Sequence, residues 1–417
     1  MAKHHIGILH YSAPPVIGGV EAVIHAQAQV LTQNGFAVDV IAGRGDSSAL
    51  PDSCRGIFHP LLDSQHKTIL KASQALEKGH VPENFDILVN KIQKILFPVL
   101  AQVNHLIVHN IFSKHFNLPL TAALFQLLEN EQISHVIAWT HDLTWTSPNS
   151  CHQVHNGYPW DLLRQTHPKI DFVAVSEKRQ AELCSLLNLA PNQAHVVHNG
   201  VKPATLLGLS RQSQQLIEKL QLLHSDMIVL MPVRVTQAKN IEYALQVLQA
   251  LKKHVQNPRL ILTGPPDPHS ASNLAYFQSL KEQRRKLGLE QQMAFIYECG
   301  MDASQAFTID ETIVGDLFRI SDVIFMPSHR EGFGMPVLEA GLSGVPVMCS
   351  HIPAAEEIGR DDVLQFDPRQ PAAITAESLA KLVENNPLSR FRRRVRLHYT
   401  WQALFTNKIA PLLKECV

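Results

Sequence analysis

A chain of 417 residues is too long for one hydrophobic core, because single cores stop growing at roughly 250–300 residues. Two domains of about 200 residues each are expected. Apolar residues make up 45 % and charged residues 18 % of the chain, which excludes a disordered polymer, and 37 Lys and Arg against 37 Asp and Glu argue against bulk nucleic-acid binding.

The first residues, MAKHHIGILHYSAPP, carry too short an apolar run for a signal peptide. No stretch offers the ~18 uninterrupted apolar residues of a membrane span. A cytoplasmic protein is expected. The six cysteines (Cys54, Cys151, Cys184, Cys299, Cys349 and Cys416) form no C-x-x-C pair and read as structural thiols of a reducing compartment. The 23 histidines include the pairs His4/His5, His152/His155 and His195/His198. None has the ligand set of a zinc site, and H-E-x-x-H is absent. No metal site is expected.

Along the chain, HHIGILHY (4–11) predicts a buried strand running through Ser12 to Ile17 into Gly18-Gly19. A helix follows, with Val20, Val23, Ile24, Val30 and Leu31 at helical spacing. Asn34-Gly35 ends it, since glycine takes a left-handed cap without strain. Strands are expected at 37–43, 105–109, 135–140, 171–176 and 195–199. The rhythm restarts near residue 205, with strands at 227–233, 259–264, 293–298, 322–328 and 345–350 and helices at 240–255, 273–287, 314–320 and 336–343. Apolar, β-branched strands alternating with helices imply parallel sheets covered on both faces. The expected fold class is α/β, with two doubly wound Rossmann-like domains. Their edges are placed at 1–204, 205–396 and a tail, 397–417, crossing back to the first domain. Ligands of such sheets bind at the carboxyl ends of the strands, so a cleft between the domains is the expected site.

The richest stretch is HREGFGMPVLEAGLSGVPV, 329–347. It follows the strand DVIFMPS. Gly332 and Gly334 let backbone N–H groups approach a ligand. Pro336 suits a first helical position, and a helix start favours an anion such as phosphate. Glu339, one turn further, offers an acceptor-only carboxylate suited to paired ribose hydroxyls. Glu331, in the turn, suits the hydroxyls of a sugar. Phosphate flanked by polyols describes a nucleotide sugar. Two glutamates at this spacing are ordinary surface acids when taken alone; the surrounding loops supply the context. Arg234 and Lys239, in PVRVTQAKN (232–240), lie where a second strand enters a helix, and paired cations there neutralise a diphosphate. Gly264, in LTGPPDP (262–268), sits at a third strand end where a loop passes close to a ligand, or forms a plain turn.

These features together resemble glycosyltransferase family 4, whose members share the two-Rossmann GT-B architecture. PPVIGGVEAVI (14–24) resembles the family's glycine-rich first loop, and WTHD (139–142) its strand-end histidine. VAVSE (173–177) and VHNGV (197–201) resemble its interdomain stretches. The R-x4-K-N of 234–240 and the E-x7-E of 331–339 resemble its donor signature. Val233 departs from the glycine common before the arginine. The resemblance implies that Arg234 and Lys239 bind the donor diphosphate and Glu339 its ribose. It implies that Glu331, with the backbone N–H groups of Phe333, Gly334 and Met335, sits at the transferred sugar. Gly18 and Gly19 would open the first helix start to phosphate and acceptor, and His141 would contact the sugar. Asp142 is expected either there or as the cap of a following helix.

The implied enzyme is a retaining transferase using a UDP-, GDP- or ADP-sugar and a hydroxyl acceptor, with no cofactor and no metal. The polar segments 108–120 and 141–163, rich in His, Asn, Ser and Trp, suit a small soluble acceptor. Competing readings are a nucleotide-sugar epimerase, a phosphorylase, and a binding protein with a dead site. A glycogen-type phosphorylase would need a pyridoxal lysine and a longer chain, an epimerase lacks this Arg, Lys and Glu combination, and a dead site would not keep all four side chains.

Overall fold

The computed structural model describes residues 4–266, 271–300, 307 and 309–414. The chain forms two compact units, one of Met1–Val201 with Trp401–Val417, the other of Lys202–Thr400. The units therefore change over at Val201/Lys202 and Thr400/Trp401 rather than at 204/205 and 396/397. Both expected edges fall within helices, Pro203–Leu206 and Pro387–His398, and a helix is not divided between units.

The first unit holds a seven-stranded parallel sheet: β1 (His5–Ser12), β2 (Ala37–Arg44), β3 (Cys54–Phe58), β4 (His105–His109), β5 (Val136–Thr140), β6 (Ile170–Ala174) and β7 (Ala194–Val196), in the order β3-β2-β1-β4-β5-β6-β7. Its central strands are apolar almost throughout, because helices cover both faces. One face buries Leu9, Leu106, Val108, Val136 and Phe172 against the helices Phe85–Leu100 and Leu118–Glu129. The other buries Ile6, Ile8, Val40, Ile107 and Ile137 against the helix Gly19–Gln33. The carboxyl-terminal segment completes this second face, with Trp401, Leu404, Phe405, Ile409 and Leu412 in the same core.

The second unit holds a six-stranded parallel sheet: β8 (Met227–Met231), β9 (Pro258–Leu262), β10 (Met293–Phe295), β11 (Val323–Met326), β12 (Val347–Ser350) and β13 (Leu364–Phe366), in the order β10-β9-β8-β11-β12-β13. In each sheet the winding reverses once, between β1 and β4 and between β8 and β11. Open parallel sheets bind ligands outside the carboxyl ends of the strands at such a reversal.

The buried ion pair of this unit lies at the other end of the sheet. Arg396 forks onto Asp322, with N–O distances of 3.0 and 2.8 Å, and also donates to the Ser225 carbonyl at 2.9 Å. Asp322 further accepts from the Ile228 backbone N–H at 2.8 Å. The helix Pro387–His398 is thereby fixed to the amino end of the sheet.

Five cysteines are free thiols: Cys184 and Cys349 buried, Cys54 and Cys299 half-buried, Cys151 exposed. Cys416 lies outside the described residues, as do positions 267 and 268 of the third motif. Among the described residues no helix is long and apolar enough to cross a membrane, and no group of three or more His, Cys, Asp or Glu is placed to hold a metal ion.

Candidate active site

In the second unit the loops after β8 and β11 meet at the winding reversal. The His329 N–H donates to the Ala238 carbonyl at 2.9 Å, which ties the two loops by their backbones. Across that tie Lys239 Nζ donates to Glu331 Oε2 at 2.6 Å, and Ser328 Oγ donates to Glu331 Oε1 at 2.6 Å. Both oxygens of Glu331 are thus oriented, and the lysine is held beside them. An ammonium has three N–H donors, so Lys239 keeps donors for a second anion.

Arg234 lies in the same loop as Lys239, exposed and with no side-chain partner among the described residues. Gly264 shapes its position. The Gly264 N–H donates to the Val233 carbonyl at 3.0 Å, and a Cβ at Gly264 would run into the Val233 carbonyl and the Arg234 backbone. The close approach at Gly264 is therefore to the arginine's own loop. Glycine is required there so that the loop after β9 can pass against it.

The helix Met335–Ser343 starts beside this pair. Gly334 precedes it at φ +90°, a conformation costly for any residue with a Cβ. Pro336 is the second helical residue rather than the first. It is still within the turn whose N–H groups lack helical partners, so its missing donor costs nothing. Phe333 and Met335 are exposed, and Gly332 has open space around it. Glu339 is exposed on the same helix, with no partner among the described residues. Two cations, an oriented carboxylate and a helix start with free N–H groups are groups whose chemistry suits a diphosphate with hydroxyls on either side.

The first unit gathers a separate polar cluster at its own winding reversal. Gly18 precedes the helix Gly19–Gln33, and a Cβ there would strike the Glu21 carboxylate. That carboxylate lies over the helix start and accepts from Ser12 Oγ at 2.5 Å. Gly19 faces open space. Next to them His109, at the end of β4, is wholly buried. Its Nε2 meets Gln27 Oε1 at 2.9 Å and its Nδ1 meets His141 Nε2 at 3.0 Å. The His10 Nδ1–H donates to the His109 carbonyl at 3.0 Å. Asn110 Oδ1 accepts from the His141 N–H at 2.8 Å, which fixes the turn that carries the histidine. Asp142 caps no helix, because turns follow it; it pairs with Arg179 at 3.1 Å.

Residues 17–205 match the family model Glycosyltransferase Family 4, and residues 212–397 match Glycosyl transferases group 1. The chain belongs to glycosyltransferase family 4. Its two parallel, Rossmann-like sheets are those of the GT-B class. An uncharacterised glycosyltransferase of Methanocaldococcus jannaschii is 26 % identical over 214 residues, a match spanning 50 % of each chain. The mannosylglucosylglycerate synthase of Petrotoga mobilis is 24 % identical over 376 residues, 84 % of this chain and 82 % of that protein. Among solved structures, sucrose-phosphate synthase from Thermosynechococcus elongatus aligns over 99 % of both chains at 16 % identity and a TM-score of 0.39.

Four polar residues of this family 4 chain were not singled out in its sequence: Glu21, Gln27, His109 and Ser328. Gln27 had the clearest signal, a lone amide on the apolar face of the helix Gly19–Gln33. Glu21 follows directly on the glycine pair, and His109 closes an otherwise apolar strand.

The histidine cluster has a consequence for pH. Burial, then the nearby His10, pushes His141 down to about 4. Burial, then Lys114 and His152, pushes His115 down to about 4 as well. His109 lies well below the ordinary value of 6.5, chiefly through burial. Each is neutral in the fold while its unfolded counterpart takes a proton below about 6.5, so their contribution to stability is complete above that pH and is lost as pH falls towards 4. His115 and His141 should each cost about 2 kcal/mol on going from pH 7.5 to pH 5. Urea titrations of the first unit's transition at the two values measure this; equal midpoints would refute it.

Proposed function

We propose that this family 4 chain moves a sugar from a nucleotide-sugar donor to a hydroxyl acceptor with retention of anomeric configuration. The contact between Lys239 and Glu331, across the loops after β8 and β11, carries the reading. It puts a cation with spare donors beside an oriented carboxylate where a parallel sheet receives its ligand. Arg234 and Lys239 bind the diphosphate and stabilise its charge as it leaves. Glu339 takes the ribose hydroxyls. Glu331 and the backbone N–H groups from Phe333 to Met335 face the transferred sugar. The donor is a uridine, guanosine or adenosine diphosphate sugar. A mannosyl group in the names of two relatives, the Petrotoga synthase and an Escherichia coli O-antigen mannosyltransferase matching 17 % of this chain, supports a hexose. The acceptor is a small polar hydroxyl compound, and the enzyme works in the cytoplasm.

Support for retention comes from what the side chains are free to do. Inversion needs a base near the attacking hydroxyl, and double displacement needs a free carboxylate nucleophile. Glu331 is engaged by Lys239 and Ser328, Asp142 by Arg179, and Glu339, though without a partner among the described residues, is given to the ribose in this reading. His141 is a weak base, held at about 4. The remaining route is front-face. The bond from the anomeric carbon to the diphosphate oxygen breaks, the acceptor oxygen bonds on the same face, and its proton passes to the departing diphosphate. The two cations and the helix start supply the positive potential, so no metal or cofactor is needed. Proton NMR of the first product, formed in the presence of EDTA, tests both points. An α-linked donor should give an α-linked product at an undiminished rate. A β-linked product, or turnover that returns only with magnesium or manganese, would overturn the mechanism.

A further inference from the structure

Gln27, His109 and His141 form one hydrogen-bonded line from the helix Gly19–Gln33 through the end of β4 to the end of β5. Gln27 and His109 are 0 % exposed and His141 is 9 % exposed. Each neutral imidazole has one N–H and one bare nitrogen, so the state of one ring dictates that of the next. With the Gln27 amide oxygen assigned to face the ring, it can only accept, which places the His109 proton on Nε2. His109 Nδ1 is then bare and accepts from His141 Nε2–H. His141 Nδ1 is left bare in turn. That atom meets no hydrogen-bonding group of the described residues and is not sealed from solvent.

The far end of the line is arranged unusually. Gln27 Nε2 is buried without a partner, and leaving such a group unmet costs stability. Exchanging the amide's oxygen and nitrogen would leave the oxygen unmet instead and reverse every proton along the line, so the tautomers of the wild type decide between the two orientations.

We infer that Gln27 and His109 are positioning residues that hold His141 in its Nε2–H form, so that Nδ1 presents a lone pair to a hydroxyl of the bound substrate. That the hydroxyl belongs to the transferred sugar rests on the function proposed above; the orientation of the line does not. Burial keeps the line neutral, with His109 well below its ordinary range. An acceptor at His141 selects a hydroxyl that donates, and a methoxy or deoxy analogue at that carbon would lose the contact.

Two-bond proton–nitrogen NMR spectra of histidine-labelled protein near pH 7.5 read the tautomers directly. The His141 signals are assigned by their loss in His141→Asn. The wild type should show His109 and His141 both protonated at Nε2. In Gln27→Met, which keeps the volume and removes the acceptor, His141 should become a mixture of tautomers, and kcat/KM should fall about three- to tenfold. His141 found as the Nδ1–H form or as imidazolium in the wild type would overturn the inference, and so would an unmixed Nε2–H form in Gln27→Met. Should that variant fail to fold, the wild-type spectrum still decides. A wild type with the expected tautomers that transfers no sugar would refute the proposed function and leave the line intact.

Discussion

Arg234→Ala is expected to slow turnover by roughly a hundred- to a thousandfold, the loss seen when one preorganised charge-stabilising group is removed, with the melting temperature unchanged. The guanidinium is exposed and has no partner among the described residues, so the fold does not depend on it. Its orientation comes from the backbone, where the Val233 carbonyl is held over Gly264. Lys239→Ala should differ in kind. It also removes the cation from Glu331, so both the melting temperature and the rate should fall. Steady-state kinetics with thermal denaturation of the two variants measure this. A rate within fivefold of wild type for Arg234→Ala would remove the arginine from the reaction.

Arg396→Met is expected to destabilise the second unit by about 3–5 kcal/mol, because it removes the ion pair of a buried carboxylate and leaves Asp322 only the more distant charge of Arg392. Asp322 is 0 % exposed, and without the fork it keeps only the Ile228 N–H of the contacts described above. Replacing both partners by apolar residues of similar volume should recover much of the loss, since two charges no longer need to be desolvated. The unit's urea midpoint separates the outcomes, and a loss below about 1 kcal/mol would mean that the pair is solvated.

The sheets were legible because a strand covered on both faces must be apolar throughout, as HLIVH (105–109) and MIVLM (227–231) are. Two of the four edge strands, β3 and β13, were not. β3, with sequence CRGIF, has no fully buried residue, and β13 is three residues long with Leu364 exposed. Neither carries a period that distinguishes it from a loop. At 293–298 the expected strand stops at Phe295 and the chain turns through Ile296–Glu298, because apolar character alone does not set where pairing ends. Glu331 and Lys239 were visible as chemistry and invisible as a pair. Ninety-two residues separate them, and only the placement of β11 beside β8 brings their loops together. The histidine line was hidden for the same reason: Gln27, His109 and His141 come from three elements, and only His141, in WTHD, stands in a motif.

The reading of the second sheet's winding reversal as a nucleotide-sugar site is tested most directly by calorimetric titration with UDP, GDP and ADP, in wild type and in Arg234→Ala. One of the three should bind the wild type, and the same nucleotide should bind the variant about ten- to a hundredfold more weakly, the cost of one charge-assisted contact. Binding by none of the three, or equal affinity in the variant, would contradict it.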